Sequence, residues 1–167
     1  DQSLRKSLGN SFEFLSEETK IIASTAIQEF KEKGKRLDRD YSSTSMLVSK
    51  IIEREIKHNI FKTWISKIKL DITKEEFSKI KDMYDHKKLN LIENILFGII
   101  SKKQRTDLGT VRTIFIEIRN NSEISFLKNH LTKFLQNFKN YKWIISEEFT
   151  DTIYDIYTKY RNGGVHE

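Results

Sequence analysis

The amino-acid sequence predicts an all-α protein, an antiparallel helical bundle with two long helices and several short ones. Three observations carry this prediction. Proline is absent from all 167 residues, so no proline ring interrupts a helix. The six glycines lie nearly all at the ends of segments with a helical pattern. Apolar residues within those segments recur at steps of three and four, which places them on one face of an α-helix.

Two segments are long enough to organise the bundle. The first helix is expected to begin within residues 11–16 and to end near Lys33, because Gly34 follows and favours a helix stop. Its predicted apolar stripe consists of Ile21, Ile22, Ala26 and Phe30. The second helix is predicted over residues 44–68, where the pattern is strongest. Its stripe consists of Leu47, Ile51, Ile52, Ile56, Ile60, Trp64 and Ile68.

Shorter helices follow, and capping residues mark the start of several. Thr73 and Glu76 have the spacing of a capping box, which opens a helix to about residue 84. Asp107 and Ser146 have side chains typical of N-cap residues. The apolar positions predicted for the remaining helices are Ile92, Ile95, Leu96 and Ile99, then Val111, Ile114, Phe115 and Ile118, then Ile124, Leu127, Leu131, Phe134 and Leu135, and finally Ile145, Phe149, Ile153, Ile156, Tyr157 and Tyr160.

The chain length fits one hydrophobic core but is short for two independent domains. Residues 1–10 carry little pattern and are interpreted as a tail or linker, and residues 11–167 as a single helical domain. Because the sequence starts without methionine and stops directly after its most distinctive motif, we expect it to be a fragment of a longer protein.

Composition and charge narrow the function classes. A net charge of +6 and a pI near 9.3 are compatible with a polyanionic partner such as RNA. The absence of cysteine excludes disulfides, thiolate nucleophiles and Cys-ligated zinc. No apolar run reaches the roughly 18 residues of a membrane span, and no signal peptide is evident. We therefore expect a cytoplasmic protein without a membrane partner.

The last eight residues, YRNGGVHE, place Arg161, Asn162 and His166 around two adjacent glycines. In one continuous α-helix, Arg161 and His166 would lie about 140° apart around the axis, too far to act on one group. Gly163 and Gly164 are poor helix formers and favour a turn. The helix is therefore expected to end near Asn162, so that His166 folds back towards Arg161.

A guanidinium and an imidazole at one place suit phosphodiester chemistry. Arginine presents a fixed fork of donors to phosphate oxygens, and histidine transfers a proton near neutral pH. This chemistry requires no metal ion, and Asn162 can orient either partner through its amide. The alternative is structural, because an arginine and a histidine beside a glycine stop also form an ordinary basic cap at a helix C-terminus.

The stretch YRNGGVH resembles the R-N-x-x-x-H form of the R-x(4–6)-H motif of the HEPN superfamily, small all-α domains that include metal-independent ribonucleases and toxins. Residues 42–61, SSTSMLVSKIIEREIKHNIF, are similar to the long helix of that family, with an acidic pair between apolar positions. The terminal motif is the specific part of this resemblance.

The resemblance implies an endoribonuclease in a toxin or antiviral defence system. It implies a homodimer that joins two Arg/His pairs in one cleft, and RNA that is cut by attack of its own 2′-hydroxyl. Arg161 would stabilise the charged phosphorane, His166 would act as general acid or base, and Asn162 would assist. It implies RNA and a second copy as partners, a regulatory domain or antitoxin as a further one, and no cofactor or metal.

Glu55 is a candidate supporting residue. It falls on the apolar side of the long helix, where a carboxylate is costly unless it is paired. Glu55 either faces Arg161 in the cleft, or is a rim carboxylate paired with a lysine or lying at the edge of the bundle. The histidines His58, His86 and His130 do not have metal-ligand spacing, so no metal site is predicted.

Aromatic and basic residues offer a second way to bind RNA. Trp64, Trp143, Tyr154, Tyr157 and Tyr160 can stack on bases, although their helical spacing favours packing in the core. The basic clusters at residues 85–88 and 101–105 attract RNA or are simply solvated. The alternative function is therefore a non-catalytic helical module for dimerisation or RNA binding.

Overall fold

The computed structural model describes residues 6, 13, 15–33, 42–120 and 125–158. All regular secondary structure in these ranges is helical and none is β-strand, which confirms the all-α class. The chain divides into two compact units, one comprising Asp1–Lys57 with Asp155–Glu167 and the other His58–Tyr154. The single domain and the antiparallel bundle around two long helices stay predictions.

Within the described ranges, the predicted helices are present, with ends that differ by a few residues. In chain order they are α1 Glu17–Lys33, α2 Ser42–Ile56, a π-helical segment Lys57–Lys62, α3 Thr63–Asp71, α4 Lys74–Asp85, α5 Leu91–Ile100, α6 Leu108–Asn120, α7 Phe126–Leu135, α8 Tyr141–Ile144 and α9 Glu147–Asp155. The short helix α8 was not predicted, because its four residues are too few to show a helical period. No helix in the described part of the chain is long and apolar enough to cross a membrane.

In the first unit, α1 and α2 pack antiparallel. Thr19 near the start of α1 donates a hydrogen bond to Glu55 near the end of α2. Glu29, towards the end of α1, accepts a hydrogen bond of 3.3 Å from the hydroxyl of Thr44 near the start of α2. Contacts at both ends therefore fix the direction in which one helix runs against the other.

The apolar stripe predicted for α1 is wrong at two positions. Ile21 is 67% exposed and Phe30 is 57% exposed, whereas Ala23 and Ala26 are buried. Ile51 of α2 packs against Ala23. The prediction is right at Ala26, which is buried, and Ile22 is half-buried. A prediction weighted by side-chain size therefore misses the buried Ala23 and includes two exposed residues.

The π-helical segment lies where the long predicted helix repeats its apolar residues every four positions. Ile56, Ile60, Trp64 and Ile68 are all buried. In an α-helix, each step of four residues advances about 40° beyond a full turn, so three steps would move the buried face by roughly 120°. A π-helix holds more residues per turn, which reduces this drift. The spacing of four residues between these buried positions therefore fits the wider turn of a π-helix.

The core of the second unit is formed by α5, α6 and α7. Their predicted apolar residues are buried wherever the structure describes them, and only Ile124 lies outside the described residues. Helix α5 is buried on nearly every side, since eight of its ten residues are inaccessible to solvent. Phe97 of α5 packs against Phe77 and Tyr84 of α4, with ring centroids 5.4 and 4.9 Å away. The helix with the most apolar sequence is therefore the central one.

The three predicted helix caps are confirmed. Thr73 and Glu76 form a reciprocal capping box, in which each side chain binds the backbone N–H of the other residue. The Asp107 carboxylate accepts a hydrogen bond of 2.8 Å from the backbone N–H of Thr110. The Ser146 hydroxyl accepts one of 3.2 Å from the N–H of Phe149. Side-chain acceptors thus satisfy backbone donors that the first helical turn leaves without partners.

The capping box makes part of the stability dependent on pH. The backbone N–H of Thr73, and then its hydroxyl, hold the pKa of Glu76 below its ordinary value of 4.5. A carboxyl group with a lowered folded-state pKa stabilises the protein above its unfolded-state pKa, and this contribution is lost as pH falls through the folded-state value. We expect Glu76→Gln to lower the urea midpoint at neutral pH and to have little effect in acid.

Glu75→Gln is the matched control, because Glu75 lies in the same first turn but outside the capping box. Both variants remove a charge that is favourable near the helix N-terminus. Because glutamine at position 76 can still accept the Thr73 hydrogen bond, the comparison isolates the charge of that acceptor. Equal losses from the two variants at neutral pH would contradict a specific contribution from the Glu76 charge to the box.

Candidate functional site

The three residues predicted to carry catalysis, Arg161, Asn162 and His166, lie outside the described residues. The helix that leads towards them is described, since α9 runs to Asp155 and residues 156–158 continue as a π-helical turn. Of the predicted stripe, Ile153 is buried, Ile145, Phe149, Ile156 and Tyr157 are half-buried, and Tyr160 lies outside the described residues. The helical approach to the motif is therefore confirmed as far as residue 158.

Glu55 contacts the N-terminus of α1. Its Oε1 atom accepts hydrogen bonds from the backbone N–H of Ser16 at 3.4 Å, from the Ser16 hydroxyl at 3.2 Å and from the Thr19 hydroxyl. Ser16 itself caps α1, because its hydroxyl accepts the N–H of Thr19 at 3.2 Å. A carboxylate in this place is favoured by the partial positive charge of the helix end. Glu55 thus ties α1 to α2, and its predicted role beside Arg161 stays a prediction.

Alanine at position 55 is expected to destabilise the first unit by about 1–3 kcal/mol, because the Ser16 and Thr19 donors lose a charged acceptor. Glu55→Gln keeps an acceptor oxygen and should cost less. The free energy of unfolding from urea titration measures both effects.

If Glu55 also supports Arg161, Glu55→Gln reduces RNA cleavage while stability is nearly kept. Unchanged cleavage in a stable Glu55→Gln variant would contradict the supporting role.

A second polar network joins α3 to α7. The indole N–H of Trp64 donates to Nδ1 of His130 at 3.0 Å, and Nε2 of His130 lies 3.0 Å from a carboxylate oxygen of Asp71. An indole N–H can only donate, so Nδ1 must accept and Nε2 must carry the proton. Both ring nitrogens are engaged in these bonds. The network therefore positions two helices and leaves no ring nitrogen available as a base.

The core prediction holds for Trp64 and fails for Trp143 and Tyr154. Trp64 is fully buried, whereas Trp143 is 51% exposed and Tyr154 is 48% exposed. Trp143 lies on Phe149 with ring centroids 4.4 Å apart, and Tyr154 is covered by the Arg112 guanidinium at 4.5 Å. Both rings thus already have contacts within the protein. Glu147, Glu148 and Asp151, on the same helix α9 as Tyr154, are exposed and repel phosphate, which argues against a base-stacking surface here.

A buried lysine lies next to a buried carboxylate in the second unit. Glu93 accepts a hydrogen bond of 3.0 Å from the backbone N–H of Lys128. The Lys128 side chain is only 2% exposed, and its Nζ atom has no hydrogen-bond partner among the residues that the structure describes. Burial of an ammonium without a partner is costly, so this residue is a source of instability in the core.

The two basic clusters lie side by side at the ends of α4 and α5. We name residues 86–88 and 102–105 together the paired lysine turns. Lys103 of the second turn lies 3.6 Å from the Asp85 carboxylate and 4.9 Å from the ring centroid of Tyr84, both at the end of α4. Residues 87, 88, 102, 103 and 105, four lysines and one arginine, are exposed. Each basic cluster is evident from the sequence, but their proximity is a result of tertiary packing and was not predicted.

His86 adds to the positive charge of this surface. Its Nδ1 atom lies 2.8 Å from the backbone carbonyl oxygen of Asp82 and 3.3 Å from the carboxylate of that residue. The carbonyl hydrogen bond, and then the negative charge of Asp82, raise the pKa of His86 above its ordinary value of 6.5. Protonated His86 is therefore more abundant near neutral pH than an ordinary surface histidine.

Neither a metal site nor a similar protein indicates the function of this chain independently of its sequence motif. Among residues 15–33, 42–120 and 125–158, no group of three or more acidic or histidine side chains is arranged to hold a metal ion. Comparison with protein-family models, curated proteins and solved structures found no match for this chain. The resemblance to HEPN domains rests on the terminal motif and on residues 42–61.

Proposed function

We propose that this chain is a metal-independent endoribonuclease domain of the HEPN type, which cuts RNA at a composite site between two copies. The observation that carries the proposal is the spacing of Arg161, Asn162 and His166 around two glycines. In the sequence, this motif comes shortly after an amphipathic helix, α9, whose residue Ile153 is buried. If this helix continues to Arg161, its packing would help to position the side chains that catalysis requires.

The chemistry proposed for the site is an internal transesterification. The imidazole of one His166 removes the proton from the 2′-hydroxyl, whose oxygen attacks the adjacent phosphorus. Arg161 binds the non-bridging oxygens and stabilises the additional negative charge of the phosphorane. The 5′-oxygen leaves with a proton from the second His166, which gives a 2′,3′-cyclic phosphate and a 5′-hydroxyl. Asn162 orients the histidine or the phosphate.

The overall charge of the chain supports RNA as the substrate. A net charge of +6 draws a polyanion towards the protein. The proposed setting is a cytoplasmic toxin or antiviral defence system, in which a regulatory domain or an antitoxin restrains the nuclease. Incubation of the purified chain with RNA in EDTA, with and without alanine at positions 161 and 166, tests the proposal.

A non-catalytic RNA-binding or dimerisation module is the second candidate function. The paired lysine turns favour it, because an exposed cationic surface needs no catalytic residue to bind RNA. This function predicts that Arg161→Ala and His166→Ala leave activity in cells unchanged. Cleavage by the wild-type chain that both substitutions abolish would exclude it.

A further inference from the structure

We propose that the paired lysine turns form the surface on which the second unit holds the phosphate backbone of single-stranded RNA. This inference rests on the proposed function only in taking RNA as the partner. It concerns residues that are separate in sequence from the terminal motif, and it assigns to them a role in binding.

The two basic turns lie close together in the fold. Two short basic turns, separated by α5, meet because Lys103 pairs with Asp85 and covers the ring of Tyr84. Gly98 permits the second turn to fold tightly, since its carbonyl accepts the backbone N–H groups of Lys103 at 2.8 Å and Gln104 at 3.0 Å. A Cβ atom at position 98 would lie only 3.0 Å from the Gln104 side chain. The surface is therefore built on fixed, hydrogen-bonded backbone.

Two lysines of the turns have an unusual backbone conformation. Lys87 has φ 54° and Lys102 has φ 60°, and they are the non-glycine residues with positive φ in the described part of the chain. Each follows the end of a helix, at a position where glycine is the usual residue. Lysine is strained in this conformation and glycine is not. Such strain is retained where a side chain has a function.

Stability alone does not account for these lysines. A cation near a helix C-terminus interacts favourably with the helix dipole. Lys88 and Lys103 already supply this charge from ordinary backbone conformations at the same two helix ends. With glycine at positions 87 and 102, the strain would be removed and Lys88 and Lys103 would still supply a cation at each helix end. The presence of lysine at the two strained positions therefore indicates that the additional positive charge has a function.

The charge and polarity of the turns favour RNA as their partner. The exposed cations of the turns outnumber the neighbouring carboxylates of Asp82 and Asp85, and Asp85 is already paired with Lys103. The turns themselves contain only charged and polar side chains. A membrane surface is usually bound by cations beside a contiguous apolar face that inserts among lipids. A cluster of exposed cations on polar turns fits the closely spaced phosphates of a nucleic acid.

The test measures binding of a fluorescein-labelled 2′-O-methyl uridine oligonucleotide, which lacks the 2′-hydroxyl needed for cleavage. We expect the Lys87→Gly, Lys102→Gly double variant to bind roughly ten-fold more weakly than the wild type at low salt. The plot of log affinity against log salt should become shallower by about 1.4, because each phosphate contact on a single strand contributes about 0.7. Its thermal midpoint should rise, since the backbone strain is relieved.

The matched control is the Lys67→Gln, Lys69→Gln double variant, which removes the same charge from exposed positions on α3. It should bind nearly as the wild type does. Three results would overturn the proposal: no binding by the wild type, equal loss in both double variants, or undiminished binding by the glycine variant. Loss of binding to phosphatidylserine vesicles alone, with RNA binding intact, would assign the surface to membranes.

Failure of the proposed nuclease is distinguishable from failure of this surface. A wild type that binds the oligonucleotide through the turns but never cleaves unmodified RNA refutes the nuclease and supports the surface. A wild type that cleaves RNA, with a glycine variant that binds as tightly as before, supports the nuclease and refutes the surface.

Discussion

Alanine in place of His166 is expected to reduce RNA cleavage by roughly 10²–10⁴-fold, the usual contribution of a positioned general acid or base. The effect should be on the rate at saturating RNA, because the imidazole transfers a proton during the reaction and adds little to binding. Arg161→Lys is expected to retain the charge and still lose most activity, since an ammonium lacks the fork that contacts two phosphate oxygens. Gel analysis of a labelled RNA, in EDTA, measures both effects.

His58→Ala is the matched control, because His58 is exposed and belongs to no predicted site. It should cleave as the wild type does. The product should carry a 2′,3′-cyclic phosphate, and a 2′-deoxy nucleotide at the cleaved position should block the reaction. Cleavage that persists in His166→Ala would refute the mechanism. A stable monomer by light scattering would refute the composite site, because the second imidazole would be absent.

Methionine in place of Lys128 is expected to increase the free energy of unfolding by about 1–3 kcal/mol, the usual cost of a buried polar group that lacks a hydrogen-bond partner. Methionine has nearly the volume of lysine and keeps its apolar contacts, and it removes an ammonium with no hydrogen-bond partner in the described residues. The backbone hydrogen bond from Lys128 to Glu93 is unaffected by the change.

Lys133→Met is the control for this substitution, since Lys133 lies on the same helix α7 but is exposed. Its effect should be close to zero, because surface substitutions rarely change stability by more than about 0.5 kcal/mol. The difference in unfolding free energy between the two variants is obtained from their urea midpoints, provided that the slope m of unfolding free energy against urea concentration is the same. Destabilisation by Lys128→Met would show that the ammonium has a favourable partner and would contradict this interpretation.

Local signals predicted much of the fold. The caps at Thr73, Asp107 and Ser146 depend on residues three positions apart, so the sequence alone contains the whole interaction. The buried faces of α6 and α7 were predicted because their large apolar residues follow the helical period. The buried face of α1 was predicted only in part, because Ala26 is buried as expected but Ala23 was missed and Ile21 and Phe30 are exposed.

The candidate site was accessible to sequence analysis only where its residues are neighbours along the chain. Arg161 and His166 fall within one short motif, whereas Trp64 and His130 are 66 positions apart and nothing in the sequence links them. The sequence does indicate that Trp64 needs a hydrogen-bond acceptor, because a buried tryptophan usually has a partner for its indole N–H. The sequence does not indicate which of many possible residues provides that acceptor. The meeting of Lys103 with Asp85 is likewise a result of tertiary packing.

The π-helical segment Lys57–Lys62 has a consequence for variation in chain length. A π turn closes its hydrogen-bonded ring over one residue more than an α turn does. Gain or loss of a single residue here can therefore be absorbed by a change of helix type, with the backbone still hydrogen-bonded. Helix interiors ordinarily reject insertions and deletions, which accumulate in loops. This stretch is thus a position where homologous chains can differ in length without a loop.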